Sequence, residues 1–297
     1  MRRLCYRPRR CIRRGPDGFS VVESLVALPI LLFFGFVVVQ IGLLWHAKFA
    51  LSHAALVAAR HASLHHGSDQ SIRDGVVFGL FPLIRPIKTA SELGSALFHS
   101  SLEVSQGIAL GWIRWEVLSP TRQSFQDWGS PADPVLSPGA SAQEIEIPAH
   151  GVAGLANRLR PHSGVVSAHQ GLPVGTSSGQ TLIEANNLKL FLQVGVPLQM
   201  PLAGQLLARA LSVWAGCSFG VSRPERPIGM IQFGLDADPN RLHPSIECRS
   251  LATFDGEGRW RPRWPLSAAA VVQMQTNARQ GVMVLRDRQQ SPTNPAR

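Results

Sequence analysis

The most specific spacing in the chain joins Gly18, Phe19 and Glu23, within Gly-Phe-Ser-Val-Val-Glu. Glu23 is the sole charged residue between Gly18 and Trp45. A carboxylate near hydrocarbon costs a few kcal/mol unless a cation pairs with it, so such an acid is a functional candidate by default. Cys217 and Cys248 are candidates of another kind, either as a disulfide or as two buried thiols. Two segments have the spacing of a serine nucleophile elbow: Gly216-Cys217-Ser218-Phe219-Gly220 and Gly175-Thr176-Ser177-Ser178-Gly179. Asp236 and His243 follow Ser218 in hydrolase order. An elbow needs a strand before the serine and a helix after it. The first match instead follows a predicted helix and precedes Pro224 and Pro227, and the second lies in a Gly/Ser loop.

His46, His53, His61 and His65 fall along one broad side of a predicted helix, with His66 beside them. His61 and His65 are one turn apart, as a metal pair would be, but no third ligand follows at fixed spacing. A solvated set is the simpler reading, and no metal is expected. The sequence has no P-loop, GxGxxG or HExxH, so no cofactor is expected either. Arg259, Trp260, Arg261, Arg263 and Trp264 form a basic-aromatic run that could stack on a partner or glycan; a surface turn beside the last strand is the plainer account.

The element that must position Glu23 is an apolar helix. From Leu25 to Trp45 there is no formal charge, and Gln40 is the one amide. At about 1.5 Å per residue this stretch covers roughly 30 Å, the thickness of a hydrocarbon core. Seven arginines precede it (Arg2, Arg3, Arg7, Arg9, Arg10, Arg13, Arg14), which predicts a cytoplasmic leader over 1–18 and a chain that lies outside beyond Trp45. A cleaved secretory signal is disfavoured: the apolar run is long, and no small-x-small site directly follows it. Alanine-rich sequence extends the helix, predicting residues 19–66 as the span and its extension, capped at Gly67 and kinked near Pro29. Gly35 and Gly42 are two turns apart on one face, where small residues let helices approach closely in lipid.

The continuation of the motif resembles the TadE-like pseudopilins of tight-adherence (Flp) pilus systems over residues 18–60. Gly18, Phe19 and Glu23 resemble the processing site of class III and type IV prepilins. Leu28-Pro29, Gly35, Gly42 and the alanine-rich helix ending at Ala59-Arg60 complete the pattern. The resemblance implies that a prepilin peptidase cuts after Gly18, that Phe19 becomes the first residue, and that Glu23 neutralises the amine of a neighbouring subunit. It further implies other pilins or pseudopilins and the pilus assembly machinery as partners, and the bacterial inner membrane as location, crossed once with the bulk of the chain periplasmic. The function implied is that of a minor pseudopilin for a tight-adherence pilus or related secretion filament, without enzymatic activity. The alternatives are an uncleaved bitopic envelope scaffold and, third, a membrane-anchored serine hydrolase.

The chain has 297 residues, room for one large or two small domains. Its net charge of +10 raises nucleic acid as a partner. The leader, however, holds seven of the 29 basic residues and one of the 19 acidic ones, leaving 22 and 18. The excess is mainly a topology signal, and no nucleic acid is expected. Cys5 and Cys11 belong to the leader.

For the remainder, 67–288, the pattern predicts an extracytoplasmic α+β domain with a small antiparallel sheet. Residues 68–86 read as loop and short turns, 89–106 as a helix, and 108–118 as a strand. Alternation predicts strands over 188–196 and 266–275, joined with 108–118 in one sheet. Pro201, Leu202, Leu206, Ala210 and Trp214 predict a helix. Loops rich in Pro, Gly and Ser are predicted over 119–150 and 161–180, and a disordered tail over 289–297.

Overall fold

The computed structural model describes residues 21–84, 92–132, 139, 141, 143–149, 158–200, 203–214, 217, 248, 250–254 and 259–285. Gly18, Phe19 and the 289–297 tail lie outside the described residues. In chain order the helices are α1 (Val21–Leu64), α2 (Asp69–Ile84), α3 (Leu93–Leu110), α4 (Arg122–Trp128), α5 (Leu182–Ala185) and α6 (Ala203–Trp214). The strands are β1 (Ile113–Ser119), β2 (Ser130–Pro131), β3 (Ile145–Ile147), β4 (Val165–His169), β5 (Leu172–Gly175), β6 (Asn187–Pro197), β7 (Arg263–Gln273) and β8 (Ala278–Arg279). This is an α+β arrangement: a long apolar helix followed by a region of small antiparallel sheets.

α1 runs unbroken through Pro29. It ends where His66 and Gly67 both take positive φ, and the Gly67 N–H closes the turn on Ala62 O at 2.9 Å. Glycine tolerates this conformation, and its lack of a Cβ also admits Met283, whose Cε would lie 2.6 Å from one. The chain then reverses into α2. The sequence reading of 68–86 as loop and short turns is therefore corrected over 69–84; residues 85 and 86 lie outside the described residues. Gly75, Gly79 and Pro82, residue types that disfavour an isolated helix, lie within α2. The glycines are its contact points: a Cβ at Gly75 would sit 2.6 Å from Ala58 Cα, and one at Gly79 2.5 Å from Ala54 Cα. Two small-x-x-x-small pairs thus face each other, and Ile72, Val76 and Leu80 are buried. α3 packs on α2 through Ser100, whose hydroxyl donates to Val77 O, and Arg73, which donates to Ser105 Oγ at 2.8 Å.

The main sheet has the order β1-β6-β7, antiparallel throughout. Ile113 pairs with Val194, and Lys189 with Val271. These are the three strands predicted, with shifted limits. β1 starts at Ile113 because residues 108–110 finish α3, which Gly111 caps in the left-handed region at φ 78°. The alternation of β6 does not mark a wet face, since Leu190 through Val196 are all buried. One set of its side chains joins a core cluster with residues of α1, among them Leu51, Ala55 and Ala59. On the opposite set, Gly195 lies close to Trp112, Ser250 and Arg263.

The regions predicted as long loops carry structure too. Within 119–150 lie α4, β2 and β3, and β3 pairs with both β2 and β8. Within 161–180 lies the β4–β5 hairpin. Thr121 and Thr181 each close a capping box, with Ser124 and Glu184 respectively. Buried Glu146 pairs with Arg279 Nε at 2.7 Å and accepts from Asn277 at 3.0 Å, joining β3 to β8. Asn277 O in turn lies 2.9 Å from His66 Nδ1, which ties this small sheet to the end of α1.

Candidate functional site

α1 divides near Trp45 into two halves with opposite surroundings. In the first, Leu25, Leu28, Leu31, Phe34, Val38 and Ile41 are all exposed. In the second, Ala47, Leu51, Ala54, Ala55, Ala58, Ala59 and Ala62 are buried under α2 and the sheet. The core helix of a soluble protein buries its apolar stripe along its whole length. Here the apolar surface continues around the first half, and among the described residues it stays exposed apart from its outer end near Gln40, which is the kind of surface a bilayer covers.

Glu23 lies on α1 within this first half. Gly35 and Gly42 share its exposed part: no described atom lies within 4 Å of the place where a Cβ would stand on either. The close helix contact the chain makes with itself uses Gly75 and Gly79 instead. The spacing Gly75-x-x-x-Gly79 against Ala54-x-x-x-Ala58 was the available signal. Gln40 is 1% exposed, and its Oε1 accepts from the Met200 N–H at 3.0 Å. The partner could not be found from the sequence, because it comes 160 residues later.

Residues 18–60 match the TadE-like protein family. The N-terminal segment is TadE-like. The match covers the exposed half of α1 and most of the alanine-rich half, ending four residues before the helix does. A TadE-like segment on a helix long and apolar enough to cross a membrane fits a membrane anchor in a protein associated with the tight-adherence pilus. Neither the curated proteins nor the solved structures include a match to this chain.

The other candidates of the sequence fall in varied places. Cys217 and Cys248 form a disulfide with Cα atoms 5.5 Å apart. Ser218, Asp236 and His243 lie outside the described residues. Ser177 sits in a turn between β5 and α5, and its N–H donates to Asp127 Oδ1 at 3.3 Å. The residue next to it, Ser178, donates to Asp127 Oδ2 through both N–H (2.7 Å) and hydroxyl (2.6 Å), and the Ser163 hydroxyl donates to Oδ1. Burial alone would raise the Asp127 pKa, but these donors outweigh it and hold the carboxyl below its usual range. Asp127 is thereby a fastener joining α4 to two turns, a role invisible in the sequence because its donors come 36 to 51 residues later.

Two of the histidines meet backbone carbonyls: His61 Nδ1 lies 2.9 Å from Ser71 O, and His65 Nδ1, just past α1, 2.8 Å from His61 O. Among the described residues no group of three His, Cys, Asp or Glu could hold a metal. The basic-aromatic run does not act as one surface turn. Trp264 is a buried residue of β7 and Trp260 is half-buried. Arg263 lies over Trp112, its guanidinium carbon 3.7 Å from the ring centroid, and reaches Glu103 at 4.0 Å.

Proposed function

We propose that this protein is a minor pseudopilin-like subunit that helps to assemble a tight-adherence pilus or a related secretion filament. The division of α1 carries the reading. A subunit of this kind needs one half of a helix free to lie in lipid and then against other subunits, and the other half fixed to a folded domain. The alanine-rich half, held by α2 and the sheet, makes the domain a rigid extension of the span. In this reading the arginine-rich leader stays in the cytoplasm, a prepilin peptidase of the inner membrane cuts after Gly18, and the α+β domain lies in the periplasm. Phe19 then carries a free amine at membrane depth, where an unpaired charge costs several kcal/mol. Glu23 of one subunit pairs with the amine of another. The role is one of assembly rather than catalysis, and the peptidase and other pilins are the partners.

N-terminal sequencing of the protein purified from membranes tests the processing step, with Phe19 as the expected first residue. Gly18→Leu should block cleavage. Glu23→Ala should leave cleavage and insertion intact while weakening co-purification with pilins, and Glu23→Asp should be intermediate. A mature chain that begins at Met1 would replace this reading with that of an uncleaved bitopic scaffold. Undiminished association of Glu23→Ala would remove the pairing role.

A further inference from the structure

Gln40 and Met200 fix the level of a second helix. Gln40 precedes Trp45 by five residues, about 7.5 Å along the helix axis. The Gln40–Met200 hydrogen bond therefore brings the backbone just before α6 to the outer end of the apolar half of α1. α6 has two faces. Ala203, Gly204, Ala208 and Ser212 are buried inward. Leu206, Ala210, Val213 and Trp214 form an outward stripe at i, i+4, i+7 and i+8, with Val213 82% and Leu206 51% exposed. Arg209 borders the stripe and lies over the Trp260 ring at 5.5 Å. Beside it stand three further exposed residues, Arg259, Arg261 and Phe254, the last bridged to Trp260. The disulfide ties Cys217, just past α6, to Cys248, and Trp260 Nε1 donates to Leu251 O at 2.8 Å. The helix and the aromatic-arginine segment are thus one fastened unit at the level of the membrane interface.

We propose that α6 is an interfacial helix. It lies in the headgroup region of the bilayer that α1 crosses, with Leu206, Val213 and Trp214 at the acyl boundary and Arg209, Arg259 and Arg261 among lipid phosphates. An amphipathic helix with large apolar residues on one face and basic ones at its edge lies on membranes in this way. Tryptophan is enriched at the same depth. The bilayer is chosen over a second protein because the helix is pinned to the span itself, at a level lipid already occupies. The consequence is that the domain does not swing freely on α1 but rests on the membrane until the subunit is extracted. This inference rests on the membrane-anchored reading of α1.

The test uses the full chain, with Cys5 and Cys11 replaced by serine, in vesicles of phosphatidylcholine and phosphatidylglycerol. A nitrobenzoxadiazole label is placed on one new cysteine at a time: Val213→Cys on α6, Val38→Cys in the span, or Gln70→Cys. Gln70 is beyond the far end of α1, whose Leu64 is about 28 Å from Trp45. All three positions are exposed, so the fold should tolerate them. The label at 213 should be quenched several-fold more by a lipid spin-labelled near its headgroup than by aqueous iodide, at every protein-to-lipid ratio, while the label at 70 shows the reverse. Iodide quenching at 213 equal to that at 70 overturns the proposal. So does protection at 213 that appears only at high protein-to-lipid ratio, which would assign the stripe to a second copy. The label at 38 separates the two readings: if a deeply spin-labelled lipid quenches it and 213 stays wet, α6 is not interfacial although α1 is inserted. If 38 itself is wet, both readings fall.

Discussion

The clearest test of the packing that holds the domain to its helix is Gly79→Ala, compared with Gly94→Ala. Both put a methyl group on a helical glycine, and in an exposed helix that change stabilises by up to about 1 kcal/mol. Gly94 lies in the first turn of α3 with nothing within 4 Å of its Cβ position among the described residues, so it should show part of this gain. At Gly79 the same Cβ would stand 2.5 Å from Ala54 Cα, 2.8 Å from its Cβ and 2.9 Å from its carbonyl oxygen. None of these atoms is the end of a flexible side chain. α2 must therefore move outward by about 1 Å to reach ordinary contact, and a gap of 0.5–1 Å forfeits roughly a quarter to a half of each dispersion contact. Ile72, Val76 and Leu80, all fully buried, lose part of their packing in this way. Overpacking of this sort costs about 1–3 kcal/mol, so the gain in helix propensity is more than offset. The expected net is a loss of about 1–2 kcal/mol. For a domain of this size that lowers the melting temperature by roughly 2–8 °C, while Gly94→Ala raises it by about 2 °C. Thermal unfolding of the detergent-solubilised chain, followed by near-ultraviolet circular dichroism, measures both. Equal stabilisation by the two substitutions would refute the close approach of α2 to α1.

Three further outcomes follow from other fastenings. Cys217→Ser with Cys248→Ser opens a loop with a sequence separation of 31 residues and should cost about 3–4 kcal/mol by loop closure, read as a lower denaturant midpoint matching that of the reduced parent. Asp127→Asn should destabilise at neutral pH, since it places an amide where Ser163, Ser177 and Ser178 donate. Because the folded Asp127 has a lowered pKa, its contribution is present above the unfolded value of about 3.9 and is lost as pH falls through the folded one. The gap between parent and variant should therefore narrow below about pH 4; a gap independent of pH between 7 and 3 would contradict this. Arg279→Met removes the cation of a buried ion pair while Glu146 keeps its Asn277 donor, at a cost of about 3 kcal/mol, whereas Arg279→Met combined with Glu146→Leu should recover much of that loss in the same unfolding assay.

The sequence by itself determined what depends on short-range composition. The length of the apolar run, the arginines before it and the order Gly18, Phe19, Glu23, Leu28-Pro29 are contiguous, and each reads without knowledge of any other part of the chain. The three main strands were legible for the same reason, since alternation has a period of two residues and needs no partner to be recognised. The tertiary structure decided the meaning of residues whose character depends on a neighbour. Glycine breaks a lone helix because it adds backbone entropy to the unfolded state, but Gly75 and Gly79 stand where an alanine backbone leaves no room for a Cβ, so the same residues hold α2 in place. Lys189 and Gln193 alternate with the apolar residues of β6, yet Lys189 is half-buried and Gln193 fully buried in the middle of the sheet. Gln40 looked like an isolated amide in an apolar run, Arg263 and Trp264 like neighbours on one surface, and Asp127 fell within the region 119–150 predicted as loop. Their partners at Met200, Trp112 and Ser178 are brought to them by the path of the chain, and no local period records where that path goes.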